Sequence, residues 1–105
     1  MLKAIYRLKK NAEFEAVYQN GVKSKFGPLL ITVMPNDLEN SRIGIVVSKK
    51  VSKLATRRNY LKRLIRAYVG LPQQNFDVVI SVLFDPQEKT SEQIRTNLSK
   101  WARSL

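Results

Sequence analysis

Arg58, Lys62 and Arg66 recur at i, i+4 and i+8, and Asn59 and Arg63 fall beside them. On a helix this spacing sets three cations in one stripe, flanked by an amide and a further guanidinium. Guanidinium forks and ammonium groups in a row suit phosphodiester oxygens, and Arg and Asn can also hydrogen-bond base edges or 2′-hydroxyls. The stripe belongs to a stretch between Glu39 and Asp77 that holds nine Lys and Arg and no acidic residue. Lys49, Lys50, Lys53, Arg57 and Arg58 crowd the N-terminal end of the expected helix, where the macrodipole favours anions and each cation costs about 0.3 kcal/mol or more. Like charges at i,i+4 add similar penalties. A merely solvated face would carry mixed charge; a bound polyanion reverses the sign of every one of these terms.

Autonomous nuclease chemistry is not expected, on the same grounds of residue type. The chain has no histidine and no cysteine, which removes the usual imidazole base, thiolate nucleophiles, thiolate metal sites and disulfides. Its acids, Glu13, Glu15, Asp37, Glu39, Asp77, Asp85, Glu88 and Glu92, fall on separate segments. A two-metal site needs converging carboxylates, and Asp77 and Asp85 sit toward opposite ends of one expected strand.

With 105 residues there is room for one domain, and 44% hydrophobic content is enough for a core. A formal charge of +11 and a pI near 10.3 point to nucleic acid or an anionic membrane. No apolar run approaches the ~20 residues that span a bilayer, and no secretory signal core opens the chain. A cytoplasmic location is therefore expected, with a basic helix lying on lipid as the weaker reading.

The elements that must position these residues follow from periodicity. Residues 1–10 read as a basic, partly mobile lead-in. Asn11 is placed to cap a first helix carrying Phe14, Val17 and Tyr18, stopped by Asn20-Gly21. Strands are expected over 29–34, ended by Pro35, over 43–47, and over 76–84, with a short one possible over 22–27. The basic helix spans about Leu54 to Val69, with Gly70 and Pro72 as stops. Its apolar sector comprises Leu54, Leu61, Leu64, Ile65 and Tyr68. Thr90-Ser91-Glu92-Gln93 matches a capping box ahead of Ile94, Leu98 and Trp101, with Trp101 assigned to the core. The order predicts an α+β or α/β sandwich with helices on a small sheet.

The run from Ala55 to Arg66 resembles the signature of the bacterial ribonuclease P protein component, matched at Arg58, Asn59, Leu61, Lys62, Arg63 and Arg66. Arg7-Leu8-Lys9-Lys10 with Phe14 and Tyr18, and Arg42-Ile43-Gly44 leading into Val47-Ser48-Lys49-Lys50, are similar to two further blocks of that family, in order and at family-like spacing. Tyr60 departs from the commonest Arg-Asn-Arg form, and Thr32 stands where the family often has an aromatic.

The resemblance implies a single α+β domain in the order α-β-β-β-α-β-α, with a left-handed βαβ crossover through the basic helix against the usual right-handed rule. It implies the protein subunit of a ribonucleoprotein that removes the 5′ leader of precursor tRNA, with hydrolysis by the catalytic RNA and its Mg2+ ions. Arg58, Asn59, Lys62, Arg63 and Arg66 would contact the catalytic RNA. Phe14, Tyr18, Lys49, Lys50 and Lys53 would line a cleft for the single-stranded leader, the aromatics stacking on bases. No metal site on the protein and no obligate protein partner are expected. Lys9, Lys10, Lys23 and Lys25 either extend the phosphate track or are simply solvated; Arg95, Lys100 and Arg103 read as ordinary helix surface. A structural ribosomal-type RNA-binding protein is the rival reading. A DNA-binding protein is a weaker one, since no helix-turn-helix partner is evident.

Overall fold

A computed structural model of the chain describes residues 6–70, 72 and 75–105. Helix α1 (Asn11–Asn20) is followed by β1 (Val22–Phe26), β2 (Leu29–Pro35) and β3 (Arg42–Val46). Then come α2 (Ala55–Tyr68), β4 (Phe76–Val82) and α3 (Thr90–Ser104), the order expected from periodicity and resemblance. The strands form one sheet in the order β1-β2-β4-β3. β1, β2 and β4 pair antiparallel, whereas β3 runs parallel to β4, so α2 is the crossover between two neighbouring parallel strands.

Strand alternation divides the core between the two faces of the sheet. On one face Leu29, Ile31, Ile43, Val78, Ile80 and Val82 pack against Leu61 and Ile65 of α2 and Ile94, Leu98 and Trp101 of α3. On the other, Val79 packs with Val17 of α1 and Leu8, and Phe14, Tyr18, Met34 and Val46 close around them. Trp101 is buried, as its helical stripe requires.

Several local expectations are corrected. Leu54 is 66% exposed and Tyr68 39%, so the buried side of α2 is narrower than its wheel; Leu54 is the N-cap, before the helix turns inward, and the Tyr68 hydroxyl hydrogen-bonds with Ser91 Oγ instead of entering the core. Lys10, not Asn11, is the N-cap of α1, and the first turn is closed by the Glu13 carboxylate, which accepts from the Lys9 and Lys10 backbone N–H groups at 2.9 Å each. The capping box at Thr90 does not form: Lys89 is the N-cap in the left-handed region, and the Thr90 hydroxyl turns to donate to the Pro86 carbonyl. β4 ends at Val82, leaving Leu83 and Phe84 outside it, and β2 includes Pro35. β3 begins at Arg42 and ends at Val46.

The lead-in is also partly fixed. Arg7 bridges to Ile43 in parallel and the Leu8 N–H donates to the Ile43 carbonyl at 3.1 Å, burying Leu8 along the outer edge of β3. Residues 1–5 of that expectation, like 71, 73 and 74 in the loop after α2, lie outside the described residues.

Candidate nucleic-acid interface

The cationic stripe of α2 forms because Leu61 and Ile65 are fully buried against the sheet, turning the opposite arc outward. Asn59 and Arg63 are exposed; Arg58, Lys62 and Arg66 are half-buried at their stems. The first turn of α2 contains no acidic residue, and Leu54 supplies no side-chain cap. Among the described residues, no ion pair reaches Arg58, Lys62, Arg63 or Arg66. The unbalanced face read from the sequence is present in three dimensions.

Arg57 leaves that face. Its Nε donates to both Asp85 oxygens at 3.2 and 3.0 Å, and its second terminal nitrogen donates to Asp85 Oδ1 at 2.9 Å and to Thr90 Oγ1 at 2.7 Å. The hydrogen bonds that Arg57 donates to the Asp85 carboxylate raise its pKa above its ordinary value. The cation crowd expected at the N-terminal end of α2 is therefore smaller by one, and this residue ties α2 to the start of α3.

Arg58 has a second task. One of its terminal nitrogens donates to the carbonyl oxygens of Ser52 and Lys53 at 2.9 and 3.0 Å. It thereby folds the loop bearing Lys49, Lys50 and Lys53 onto α2, with a turn closed by the Val51 N–H on the Ser48 carbonyl. All three lysines are exposed.

Phe14 and Tyr18 are half-buried, neither fully core nor free. Phe14 can lie where it does because residue 44 is glycine: a Cβ there would stand 2.4 and 2.5 Å from two of its ring carbons. Tyr18 packs in the cluster that includes Val46, two residues before the lysine loop begins. The helix carrying both aromatics is bolted to the sheet by Arg42. That guanidinium donates to Asp77 Oδ1 and Oδ2 at 2.9 and 2.7 Å and to Glu13. Asn36 adds a 2.8 Å bond to Asp77, whose side chain is only 3% exposed. The two backbone donors at Lys10 and Lys9, helped by Arg42, hold Glu13 down at about 2.

Register reveals a floor that residue types alone did not disclose. Lys25, Leu30, Ser81 and Val46 lie side by side across all four strands on the α1 side of the sheet. Leu30, Ser81 and Val46 are half-buried and Lys25 exposed, two residues along each strand from the row in which Thr32, Val79 and Gly44 are buried under α1 and Lys23 is exposed. Thr32 itself is buried beneath Gly21, so it cannot contribute to an open stacking surface. Alternation within each expected strand was the available signal; pairing order was missing. Around the outer edge of β3, Arg7, Phe14, Gly44 and Arg66 wall a shallow cavity of about 100 Å³. Arg66 of the α2 stripe and Phe14 of α1 thus meet there. Lys9, Lys10 and Lys23 are exposed as well.

A small sheet with one cationic helix on one face and an aromatic-edged, lysine-flanked strip on the other defines an RNA-facing α+β domain. The ribonuclease P family model matches residues 2–105. A ribonuclease P protein component from Chromobacterium violaceum is 39% identical over 88 residues, covering 84% of this chain and 73% of that protein. Another from Synechocystis is 49% identical over 82 residues, covering 73% and 66%. The solved Staphylococcus aureus RNase P protein superposes with a TM-score of 0.81 at 28% identity over 97% of this chain and 95% of that one. The Thermotoga maritima RNase P protein gives 0.71 at 25% identity over 94% and 96%. The chain belongs to the ribonuclease P protein family.

Proposed function

We propose that the chain is the RNA-binding protein subunit of ribonuclease P, docking on the catalytic RNA through Arg58, Asn59, Lys62, Arg63 and Arg66. The single observation that supports this most is the α2 face, five donors without a carboxylate partner among the described residues, on a helix anchored by Leu61 and Ile65. Phosphate contacts would carry most of the affinity, so binding falls steeply with salt. Family membership favours this reading over a structural ribosomal-type protein.

The second surface takes the 5′ leader of precursor tRNA. Phe14 and Tyr18 offer ring faces, Lys49, Lys50 and Lys53 track phosphates, and the Leu30-Ser81-Val46 row gives a sequence-tolerant floor. Contact with the leader lowers the free energy of bound precursor relative to mature tRNA, which lacks it. Among the described residues no three carboxylates gather to hold a metal. Hydrolysis is assigned to the RNA with its Mg2+ ions, and the protein reduces magnesium demand by neutralising phosphate repulsion. No helix among the described residues is long and apolar enough to cross a membrane; the cytoplasm is the proposed location. No obligate protein partner enters this scheme.

The test is cleavage of precursor tRNA at low magnesium by the RNA alone and with the protein, over a series of leader lengths. The protein should increase cleavage, more so once the leader is long enough to cross the strip. No gain at any leader length defeats the proposal.

A further inference from the structure

Tyr60 sits on the acid-free helix α2, at the flank of the cationic stripe beside Arg63, without carrying a charge. The Arg57 guanidinium lies 5.3 Å from its ring centroid and the Arg63 guanidinium 5.9 Å. Both are within the range in which the ring quadrupole attracts a cation. The three differ in how they are held. Arg57 is fixed by its fork on Asp85 and its bond to Thr90, a residue 8% exposed. Tyr60 is half-buried, and Arg63 is exposed. The result is a chain of contacts that begins at a pinned ion pair between α2 and α3 and ends at a guanidinium facing solvent.

An exposed arginine samples many rotamers, and ordering it on binding costs part of the interaction it makes. A guanidinium already resting on a ring loses less, and its planar fork keeps all its donors while doing so. We infer that Tyr60 is a positioning residue: its ring, steadied by Arg57, holds the Arg63 guanidinium ready for a phosphodiester or a base edge of the partner RNA. This rests on the docking of α2 against RNA proposed above. It also gives Tyr60 a role that charge counting misses, ordering a neighbouring cation where an additional cation would have repelled it.

The experiment is a double-mutant cycle on the full chain, read as affinity for an in-vitro transcribed bacterial ribonuclease P RNA across a salt series. Tyr60→Leu should weaken binding about three- to fivefold at fixed salt, the scale of an exposed cation–ring contact. It should leave the salt slope unchanged, because no charge is removed. Tyr60→Phe keeps the ring and should stay within about twofold of the parent. Arg63→Gln should weaken binding and reduce the slope by about one. In the Arg63→Gln background, Tyr60→Leu should cost nothing further, which a purely structural role would not produce. A full additive loss there, with Arg63→Gln alone still effective, overturns the inference and leaves the docking proposal standing. No effect of Arg63→Gln at all overturns both. Independently of any variant's stability, the Arg63 side-chain protons of the free parent protein should show ring-current shifts; their absence also overturns the inference.

Discussion

Phe14 of α1 and Arg66 of α2 line the same cavity at the outer edge of β3, although they lie on helices packed against opposite faces of the sheet. The passage between the two faces is short because residue 44 has no side chain and the Phe14 ring settles over it. The surfaces proposed for leader and for catalytic RNA are thereby continuous at one strand edge.

Gly44→Ala tests that continuity. The new methyl group would overlap the Phe14 ring, which packs in the cluster with Leu8, so the ring must shift from its place over the strand. Binding of leader-bearing precursor should drop by up to about tenfold, the scale of one lost base–aromatic stack. Affinity for the catalytic RNA alone should stay close to the parent. Parallel titrations with precursor and with mature tRNA on the reconstituted particle check this, and an equal loss for both would contradict it.

Arg58→Lys separates charge from geometry. The lysine keeps the cation, but its shorter side chain lacks the terminal guanidinium nitrogen that donates to both the Ser52 and Lys53 carbonyls, so the loop from Lys49 to Lys53 loses its brace on α2. A hydrogen bond from a charged group contributes about 1.5 kcal/mol, so exchange of the Val51 and Leu54 amides should speed up about tenfold. Hydrogen exchange followed by NMR reads this directly. Unchanged protection would mean the loop holds itself.

Arg42→Met should be the most damaging single change outside the apolar core. It leaves the Asp77 carboxylate, with a side chain 3% exposed, without its guanidinium partner, with the Asn36 amide still donating to it. Removing one partner of a buried pair typically costs about 3–5 kcal/mol, and α1 loses its bolt to the sheet at the same time. Thermal or urea unfolding measures the loss; a change below about 1 kcal/mol would show that the pair contributes little.

Acid should loosen the same junction. The carboxyl of Glu13 is lowered from 4.5 to about 2 in the folded chain by the Lys10 and Lys9 amides and by Arg42. A depressed folded value means that its stabilisation is fully present above about pH 4.5 and is lost as pH falls toward about 2. Glu13→Gln should therefore lower stability at neutral pH and flatten the decline between pH 5 and pH 2 (both roughly, by linkage). Urea midpoints across that window decide the matter, and an unaltered decline would exclude Glu13 as its source.

The two kinds of information divide along a physical line. Local periodicity and residue type sufficed for the element order, the buried Leu61, Ile65 and Trp101 and the cationic stripe, because each depends on neighbours within a few positions of chain. Chain ends of elements were less legible: Leu54 has the right phase for the core yet precedes the turn of helix that would bury it. What only the tertiary structure decided involves partners distant in sequence. Arg57 read as one of the cations crowding the start of α2 until the loop after β4 brought Asp85 beside it, 28 residues away. Arg42 became a bolt rather than a surface cation because Glu13 and Asp77 converge on it from two other elements. Lys25, Leu30, Ser81 and Val46 became a row only through strand register, since alternation fixes a side chain's face but not which strand lies next to it.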